Sequence, residues 1–244
     1  MLLAYLGFFS ALIFMTAAEY LFPARAEKNL LRHNGKNILL GYLWFLSFSF
    51  IPLLPNFYYI VLWPRPYMDW RIVTVLGILI LDFGTYWWHR FNHTNRFFRK
   101  AHWVHHSDEH VNFSTTFRFH YVELAVYYLY KLLLCSIFQI PIVVLLTYDS
   151  LTFFNGLFHH GNIALHPKLE KLLSPLFVTP AFHFNHHSSD PRFANSNYGS
   201  FLIIWDKLFK TYLPPQDHEK IGLKSNFGKS FWQLMIYPFR RSKL

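Results

Sequence analysis

The sequence predicts an all-α, polytopic membrane protein with about three long spans and a helical hairpin, together with a cytoplasmic helical cap. Hydrophobic residues make up 53% of the 244-residue chain and charged residues only 15%, whereas soluble domains carry about 25% charged residues. Long apolar runs also alternate with polar segments rich in histidine and arginine, which is typical of membrane proteins. We therefore expect one membrane-embedded domain over residues 1–244, with residues 1–70 forming membrane anchor spans.

Three apolar runs precede the first pair of closely spaced histidines. Leu2–Phe22 contains one charge, Glu19, and would extend about 31 Å as a helix, close to the hydrocarbon thickness of a bilayer. It lacks a basic start and a small-residue cleavage site, so we interpret it as an anchor and not as a signal peptide. Ile38–Trp63 has no charge, and Ile72–Trp88 is interrupted only by Asp82. These runs predict the three long spans.

The segment His120–Phe158 predicts the hairpin. It is mostly apolar but too long for one pass through about 30 Å of hydrocarbon. Two passes that turn near Gln139–Pro141 fit better. An even number of passes also returns the chain to the same side, where the histidines before and after this segment must meet. The basic loop 23–36 places that side in the cytoplasm by the positive-inside rule.

The net charge of +10 does not indicate a nucleic-acid partner. The basic residues gather where apolar runs end, around 25–36, 90–100 and 240–243, and such charges set topology and meet anionic headgroups. The single cysteine, Cys135, excludes an intrachain disulfide framework and a metal site built from several cysteines.

Histidine is concentrated in the middle of the chain, where 13 of the 15 histidines fall between positions 89 and 187. One H-x3-H pair and two H-x2-H-H groups have the spacing that places imidazoles on one face of a helix. Eight imidazoles are too many for one ion, which takes four to six ligands, and are suited to two ions. The groups are His89 and His93; His102, His105 and His106; and His183, His186 and His187.

Chance clustering, a structural zinc site and a b-type haem each fit the histidines less well. A chance pair on a helix is common, but two further groups make chance clustering a poor account. A structural zinc site needs four ligands and often includes cysteine. A membrane b-type haem needs axial histidines within facing spans, whereas these groups lie outside the predicted spans. A dinuclear metal site is therefore the preferred interpretation.

These motifs resemble the fatty acid hydroxylase/sterol desaturase superfamily of integral membrane di-iron oxygenases. Asp82–His93 resembles its D-x3-Y-W-x-H-R-x2-H block. Phe98–Ser107 and Thr179–Ser188 resemble its second and third histidine boxes. Asn197–Phe209 is similar to its closing N-Y-G…W-D-x-L-F segment. The resemblance implies a fatty acid hydroxylase-like core over residues 82–212.

The resemblance implies two Fe ions, dioxygen as co-substrate and a ninth histidine ligand. This ligand is His160, in the segment His160-Gly161-Asn162, and it ranks above the neighbouring His159. Asn162 is a candidate supporting residue. The implied ligand set is His89, His93, His102, His105, His106, His160, His183, His186 and His187.

Two acidic positions are candidates for supporting roles. Asp82 lies seven residues before His89 on the same helical face. A carboxylate inside a span is a functional candidate, and we expect Asp82 to accept the second N–H of a ligand imidazole and fix its tautomer; a packing role is the alternative. Arg118–Glu123 resembles an R-x-H-x2-E element of the family, for which membrane-edge packing and ligand support stay open.

The resemblance implies an oxidoreductase that hydroxylates or desaturates a lipid, fatty acyl or sterol substrate, with hydroxylation slightly favoured. Both outcomes share a first hydrogen abstraction, so the motifs do not separate them. The chain has no G-x-G-x-x-G fingerprint, so we expect a separate electron donor, cytochrome b5-like or ferredoxin-like. The expected location is the bacterial inner membrane or the endoplasmic reticulum. An acyl-type desaturase and a non-catalytic histidine-rich membrane metal-binding protein are the alternatives.

Overall fold

The computed structural model describes residues 2–26, 30–48, 68–216, 220–223 and 230–240. These residues are mostly helical and contain no β-strand beyond isolated bridges, which confirms the all-α prediction. The part of the second predicted span beyond residue 48 lies outside the described residues. In chain order the helices are α1 (Leu2–Leu21), α2 (Leu30–Phe48), α3 (Trp70–Thr94), α4 (Arg96–His106), α5 (Tyr121–Phe138), α6 (Ile142–His160), α7 (Pro167–Leu173), α8 (Pro180–His186), α9 (Pro191–Ala194), α10 (Ile204–Leu208) and α11 (Phe231–Ile236).

Three of the described helices are long and apolar enough to cross a membrane. They are α3 with 25 residues, α5 with 18 and α6 with 19. In α1, the described side chains form a shorter apolar stretch, Gly7–Leu21. Large aliphatic side chains such as Leu133 and Val143 are exposed on the outer faces of α5 and α6, as expected where a helix contacts acyl chains. The helices indicate a membrane protein with several passes.

The predicted hairpin turn is confirmed between α5 and α6. Gln139 adopts the left-handed conformation, with φ of 51°, and its amide donates to the Cys135 carbonyl at the end of α5. Pro141 is then the N-cap residue of α6, a position that suits proline because no helical N–H is required there. The two helices pack with α3 around a buried cluster that includes Leu81 and Tyr148. The hairpin therefore returns the chain to the side from which α5 starts.

Helix α3 extends past the predicted end of its span at Trp88 and reaches Thr94. The drop in hydropathy marks the edge of the apolar run and not the end of the helix, because no helix breaker stands between these residues. Asn95 ends α3 and caps α4, its side chain accepting from the amides of Phe97 and Phe98. His89 and His93 thus stand on the last turns of a spanning helix.

The basic segment 23–36 is not a loop throughout, because α2 already begins at Leu30. The inward face of this part of α2 is polar. Asn34 accepts from the Asn112 side chain at 2.8 Å, and Asn37 donates to Asp108 at 3.0 Å. Hydropathy does not detect a helix whose buried face is made of asparagine. The short 3₁₀ helix Phe113–Phe117 packs against this face.

Candidate metal centre

The nine histidines predicted as ligands converge into two buried groups. Within each group, one ring nitrogen from every histidine lies within 4.8 Å of those of the others. The sequence predicts these nine residues, and the fold brings all of them together; their role as metal ligands stays a prediction. The five-histidine group is His89, His93, His102, His106 and His186, and the four-histidine group is His105, His160, His183 and His187.

Each H-x2-H-H motif divides between the two groups. In α4, His102 and His106 join the five-histidine group while His105 joins the four-histidine group. In α8 and its C-cap the division is reversed, because His186 alone joins the five-histidine group. Positions i and i+4 lie about 40° apart around a helix, and i+3 lies about 100° from i+4. One helix therefore contributes imidazoles to both groups.

Five of the imidazoles are held by hydrogen bonds from Nδ1. Carbonyl and carboxylate oxygens only accept, so Nδ1 carries the proton in each, and the Nε2 of the neutral ring then carries a lone pair. The partners are Tyr198 O for His89 (2.8 Å), Glu123 Oε1 for His102 (2.7 Å), Arg118 O for His105 (3.2 Å), Gly156 O for His160 (2.9 Å) and Ser196 O for His186 (2.8 Å).

This tautomer assignment leaves unprotonated nitrogens facing each other. The Nε2 atoms of His89 and His102 are 3.0 Å apart, and those of His105 and His160 are 3.1 Å apart. Two lone pairs at this distance repel, and a cation between them removes the repulsion. Two nitrogens bound at about 2.1 Å to one ion at a right angle would lie about 3.0 Å apart. Both groups therefore fit a metal ion.

Five of the predicted ligands outside the spans are held in the neutral form that binds metal. Burial, and then the neighbouring imidazoles, lower the pKa of His105, His106, His183, His186 and His187 well below the ordinary histidine value. A metal must displace a proton from any charged imidazole, so neutral rings bind it more readily. The buried Nε2 atoms of His106 and His186 also have no hydrogen-bond partner among the described residues.

Arg118 and Glu123, whose role the sequence left open, contact the imidazoles. Glu123 Oε1 accepts from His102 Nδ1 at 2.7 Å and from the Asn92 side chain at 2.8 Å. The Arg118 carbonyl faces His105, and its guanidinium donates to the C-terminal turn of α4. Of the two interpretations, ligand support is the one that these hydrogen bonds favour.

Asp82 does not form the expected hydrogen bond with His89. Its carboxylate accepts instead from the Tyr148 hydroxyl at 3.0 Å, the Trp205 indole at 2.8 Å and the Leu202 amide at 3.3 Å. Two helical turns place residues on the same face, but they also separate them by about 10.5 Å along the axis. A carboxylate does not reach that far. We therefore propose that Asp82 supports the centre indirectly, through the segment that follows Tyr198.

Asn162 forms no hydrogen bond with a predicted ligand among the described residues. Its side chain pairs with the backbone of Arg25, at 2.9 Å to the amide and 2.8 Å to the carbonyl. Its own amide donates to Glu19 at 2.9 Å. Asn162 therefore joins the end of α6 to the end of α1, so any effect it has on the centre is through the placement of α6.

His159 lies beside the centre but belongs to neither group. Its ring centroid is 4.2 Å from that of His183, and its Nδ1 is 3.1 Å from the Asn155 side chain. Consecutive helical residues point about 100° apart, and of these two histidines only His160 has a ring nitrogen that belongs to the four-histidine group. The ranking of His160 above His159 as a ligand stays a prediction.

A cavity of about 410 Å³ extends from the imidazoles between α3, α5 and α6. It is bordered by His89, His102 and His160 and by aromatic side chains such as Trp88 and Phe153. Most of its surface is apolar. Imidazoles of both histidine groups therefore border an apolar cavity that lies between the spanning helices.

The Fatty acid hydroxylase family model matches residues 74–211, which include all nine histidines of the two groups. The chain belongs to the fatty acid hydroxylase family. The resemblance seen in the sequence motifs is thereby confirmed. The matched region covers most of the first spanning helix and all of the other two, both H-x2-H-H motifs and the segment after Tyr198.

Several family members of known name are similar to the chain. Alkylglycerol monooxygenase of Danio rerio is 31% identical over 201 residues, which are 78% of this chain and 42% of that protein. Ornithine lipid hydroxylase of Rhizobium tropici is 32% identical over 185 residues, 73% of this chain and 52% of that protein. Delta(7)-sterol 5(6)-desaturase of Eremothecium gossypii is 26% identical over 176 residues, 70% of this chain and 46% of that protein.

The chain spans about half or less of the length of these fatty acid hydroxylase relatives. No solved structure is significantly similar to it. The relatives are named for oxidation of lipids, by hydroxylation or by desaturation.

Proposed function

We propose that this chain is a membrane-bound non-haem di-iron oxygenase that hydroxylates a lipid, with dioxygen as co-substrate. One observation carries the proposal: two groups of buried imidazoles, with unprotonated nitrogens about 3 Å apart, border an apolar cavity between spanning helices. The family match supports lipid oxidation. The names of the relatives support hydroxylation, since alkylglycerol monooxygenase and ornithine lipid hydroxylase are among them.

In this proposal the five-histidine group holds one iron and the four-histidine group holds the other. Bound iron supplies the redox chemistry that protein side chains lack, the reduction of dioxygen and the oxidation of an unactivated C–H bond. The protein holds and orients the ligands. Glu123 and the carbonyls of Tyr198, Arg118 and Ser196 fix ring orientation and tautomer, which raises the basicity of Nε2.

The apolar cavity has two tasks in this mechanism. It orients a hydrocarbon chain so that one carbon lies beside the imidazoles, and it excludes water from the reacting carbon. His89, His102 and His160 border it directly. The hydrocarbon chain of the substrate therefore approaches both histidine groups from the membrane side. A soluble substrate would gain little from a site that opens between spans.

Desaturation is the second candidate, and the similarity to a sterol desaturase supports it. The two reactions differ in their products: a hydroxylase adds one oxygen atom to the lipid, and a desaturase removes two hydrogen atoms. Mass spectrometry of lipid extracted after reaction with isotopically labelled dioxygen separates them. Labelled oxygen in the product supports hydroxylation, and an unlabelled product with one new double bond would show a desaturase.

We further propose that electrons come from a separate cytochrome b5-like or ferredoxin-like donor and that the centre lies on the cytoplasmic side. The basic residues on α4 and the segment before it, such as Arg90, Arg96 and Lys100, support both points. Positive charge near the ends of spans favours the cytoplasm and attracts an acidic partner. A cysteine introduced at the exposed Glu109 should react with an impermeant thiol reagent only from the cytoplasmic face.

Elemental analysis of anaerobically purified protein is the decisive test of the metal centre. We expect about two iron atoms per chain and reductant-dependent consumption of dioxygen in the presence of lipid. Fewer than about two metals per chain would contradict the dinuclear site. Full occupancy by zinc, with no dioxygen consumption after iron loading, would instead indicate the non-catalytic metal-binding protein.

A further inference from the structure

An ion pair lies in the middle of the membrane hairpin, away from the histidines. Lys131 Nζ on α5 is 2.6 Å from Asp149 Oδ1 on α6. The Lys131 side chain is buried, whereas that of Asp149 is 30% exposed. Charged side chains within spans are expensive and usually serve function. The centre proposed above does not use this pair.

The pair lines the same cavity as the imidazoles. Lys131 follows Glu123 by eight residues, which is about 12 Å along a helix, and Asp149 precedes His160 by eleven residues, which is about 16 Å. The cavity therefore has the imidazoles near one end and the ion pair more than two helical turns away. A largely apolar wall that includes Tyr127 connects them.

Both members of the pair keep unused hydrogen-bonding capacity. An ammonium has three N–H donors and a carboxylate has about four lone-pair positions, and one bond joins the two groups. The rings of Tyr127 and Tyr128 lie 4.6 and 5.8 Å from Nζ, which stabilises the cation without using an N–H as a conventional donor. A guest in the cavity can therefore both accept from Lys131 and donate to Asp149.

The charges of the pair select among possible guests. A carboxylate or phosphate would meet the negative charge of Asp149, and an amine would meet the positive charge of Lys131. A hydroxyl is neutral, accepts one hydrogen bond and donates another, so it matches both groups at once. We propose that Lys131 and Asp149 bind the hydroxyl group of a long-chain lipid substrate and so set the distance from that hydroxyl to the oxidised carbon.

This inference rests on the proposed function, since it places the reacting carbon beside the imidazoles. The substrate would then be a neutral lipid whose hydroxyl group enters the cavity. The alternative is that the pair only joins α5 to α6. If the pair only joins the two helices, the protein should show no preference among hydrocarbon ligands that differ in their terminal group.

The test is equilibrium binding of tritiated 1-hexadecanol to the purified full-length protein in detergent, without reductant or dioxygen. Competition uses 1-methoxyhexadecane, which accepts but does not donate, as well as hexadecane and hexadecanoate. Hydrogen bonds to charged groups are among the stronger ones, so we expect the alcohol to bind at least about tenfold more tightly than hexadecane, with the ether between them. Hexadecanoate should compete no better than the ether.

The test variant is Lys131→Met/Asp149→Leu, which removes both charges together. Replacing a buried ion pair by apolar residues is often neutral for folding, whereas removing one partner leaves an unpaired charge. The double variant should bind alcohol and alkane within about twofold of each other. Ser150→Ala is the control, because the Ser150 hydroxyl donates to the Leu146 carbonyl on the exposed side of the same helix, and it should keep the preference for the alcohol.

Three results would overturn the inference: equal binding of alcohol and alkane to the wild-type protein, tighter binding of hexadecanoate, or a preference for alcohol that persists in the double variant. The comparison of the four compounds on the wild-type protein tests the inference even if the double variant does not fold. Because the assay needs no turnover, a preference for alcohol without any oxygenase activity would refute only the proposed function. Oxygenase activity without this preference would refute only the inference.

Discussion

Glu123→Gln tests whether the two histidine groups act as separate metal sites. Glu123 is buried, and its Oε1 lies 2.7 Å from His102 Nδ1, in the five-histidine group. Glutamine keeps the shape and one acceptor oxygen but removes the charge. A hydrogen bond to a charged group contributes about 1.5–3 kcal/mol and a neutral one about 0.5–1.5 kcal/mol. The substitution should therefore weaken the binding free energy of the metal in the five-histidine group by about 1.4 kcal/mol, which is about tenfold in metal affinity.

The loss should fall on the five-histidine group alone, because the Glu123 carboxylate bonds to His102 and to Asn92, neither of which belongs to the four-histidine group. Iron-loaded protein is titrated anaerobically with a chelator, and the metal remaining per chain is measured. We expect two steps for the wild-type protein. In Glu123→Gln one step should move to about tenfold lower chelator concentration, within the range known for partners that orient metal ligands, and the other should not move.

Glu109→Gln is the matched control, since it makes the same chemical change at an exposed position near the same histidine motif. It should leave both steps in place. If Glu123→Gln leaves both steps within about twofold of wild type, the carboxylate does not tune a ligand. If both steps move equally, the two groups do not bind metal as separate sites.

Three further sets of variants test the ligands and their supports. His105→Ala and His186→Ala each remove a ligand from a different group, so each should lose about one metal per chain by elemental analysis; full occupancy in the double variant would contradict the dinuclear site. Asp82→Ala leaves the Trp205 indole without its acceptor and should cost about 1–3 kcal/mol in thermal unfolding, while Asp82→Asn, which keeps an acceptor, should cost less. Gly199→Ala places a methyl group 2.7 Å from a backbone carbonyl and should cost about 1–3 kcal/mol; an unchanged Tm would show that this segment moves freely.

The histidines were predictable because their chemistry is carried by residue identity. Clustered imidazoles indicate a metal site. The hairpin follows from the length of the apolar segment His120–Phe158. The groups that hold the rings were not predictable in the same way. Backbone carbonyls at Tyr198, Ser196 and Gly156 fix three tautomers, and any residue type supplies a carbonyl. Only the fold shows which carbonyl faces which ring.

The two acidic residues show where helical spacing is sufficient and where it is not. Asp82 shares a face with His89, but two turns of axial rise separate them, so its carboxylate binds Trp205 instead. Glu123 stands on α5, yet it reaches His102 on α4 at 2.7 Å. Spacing within one helix indicates a face and not a contact. A contact between helices depends on packing, which no periodicity encodes.

The division of the two H-x2-H-H motifs explains how one sequence pattern supplies imidazoles to two separate groups. A single ion would need only i and i+4, which face one direction; the histidine at i+3 points about 100° away from i+4 and faces the other histidine group. Helices α4 and α8 use the motif in opposite senses, so each group receives two imidazoles from one of them and one from the other. Helix α3 then completes one group and α6 the other. A substitution that displaces α3 or α6 should therefore weaken the binding of one metal, whereas one that displaces α4 or α8 should weaken the binding of both.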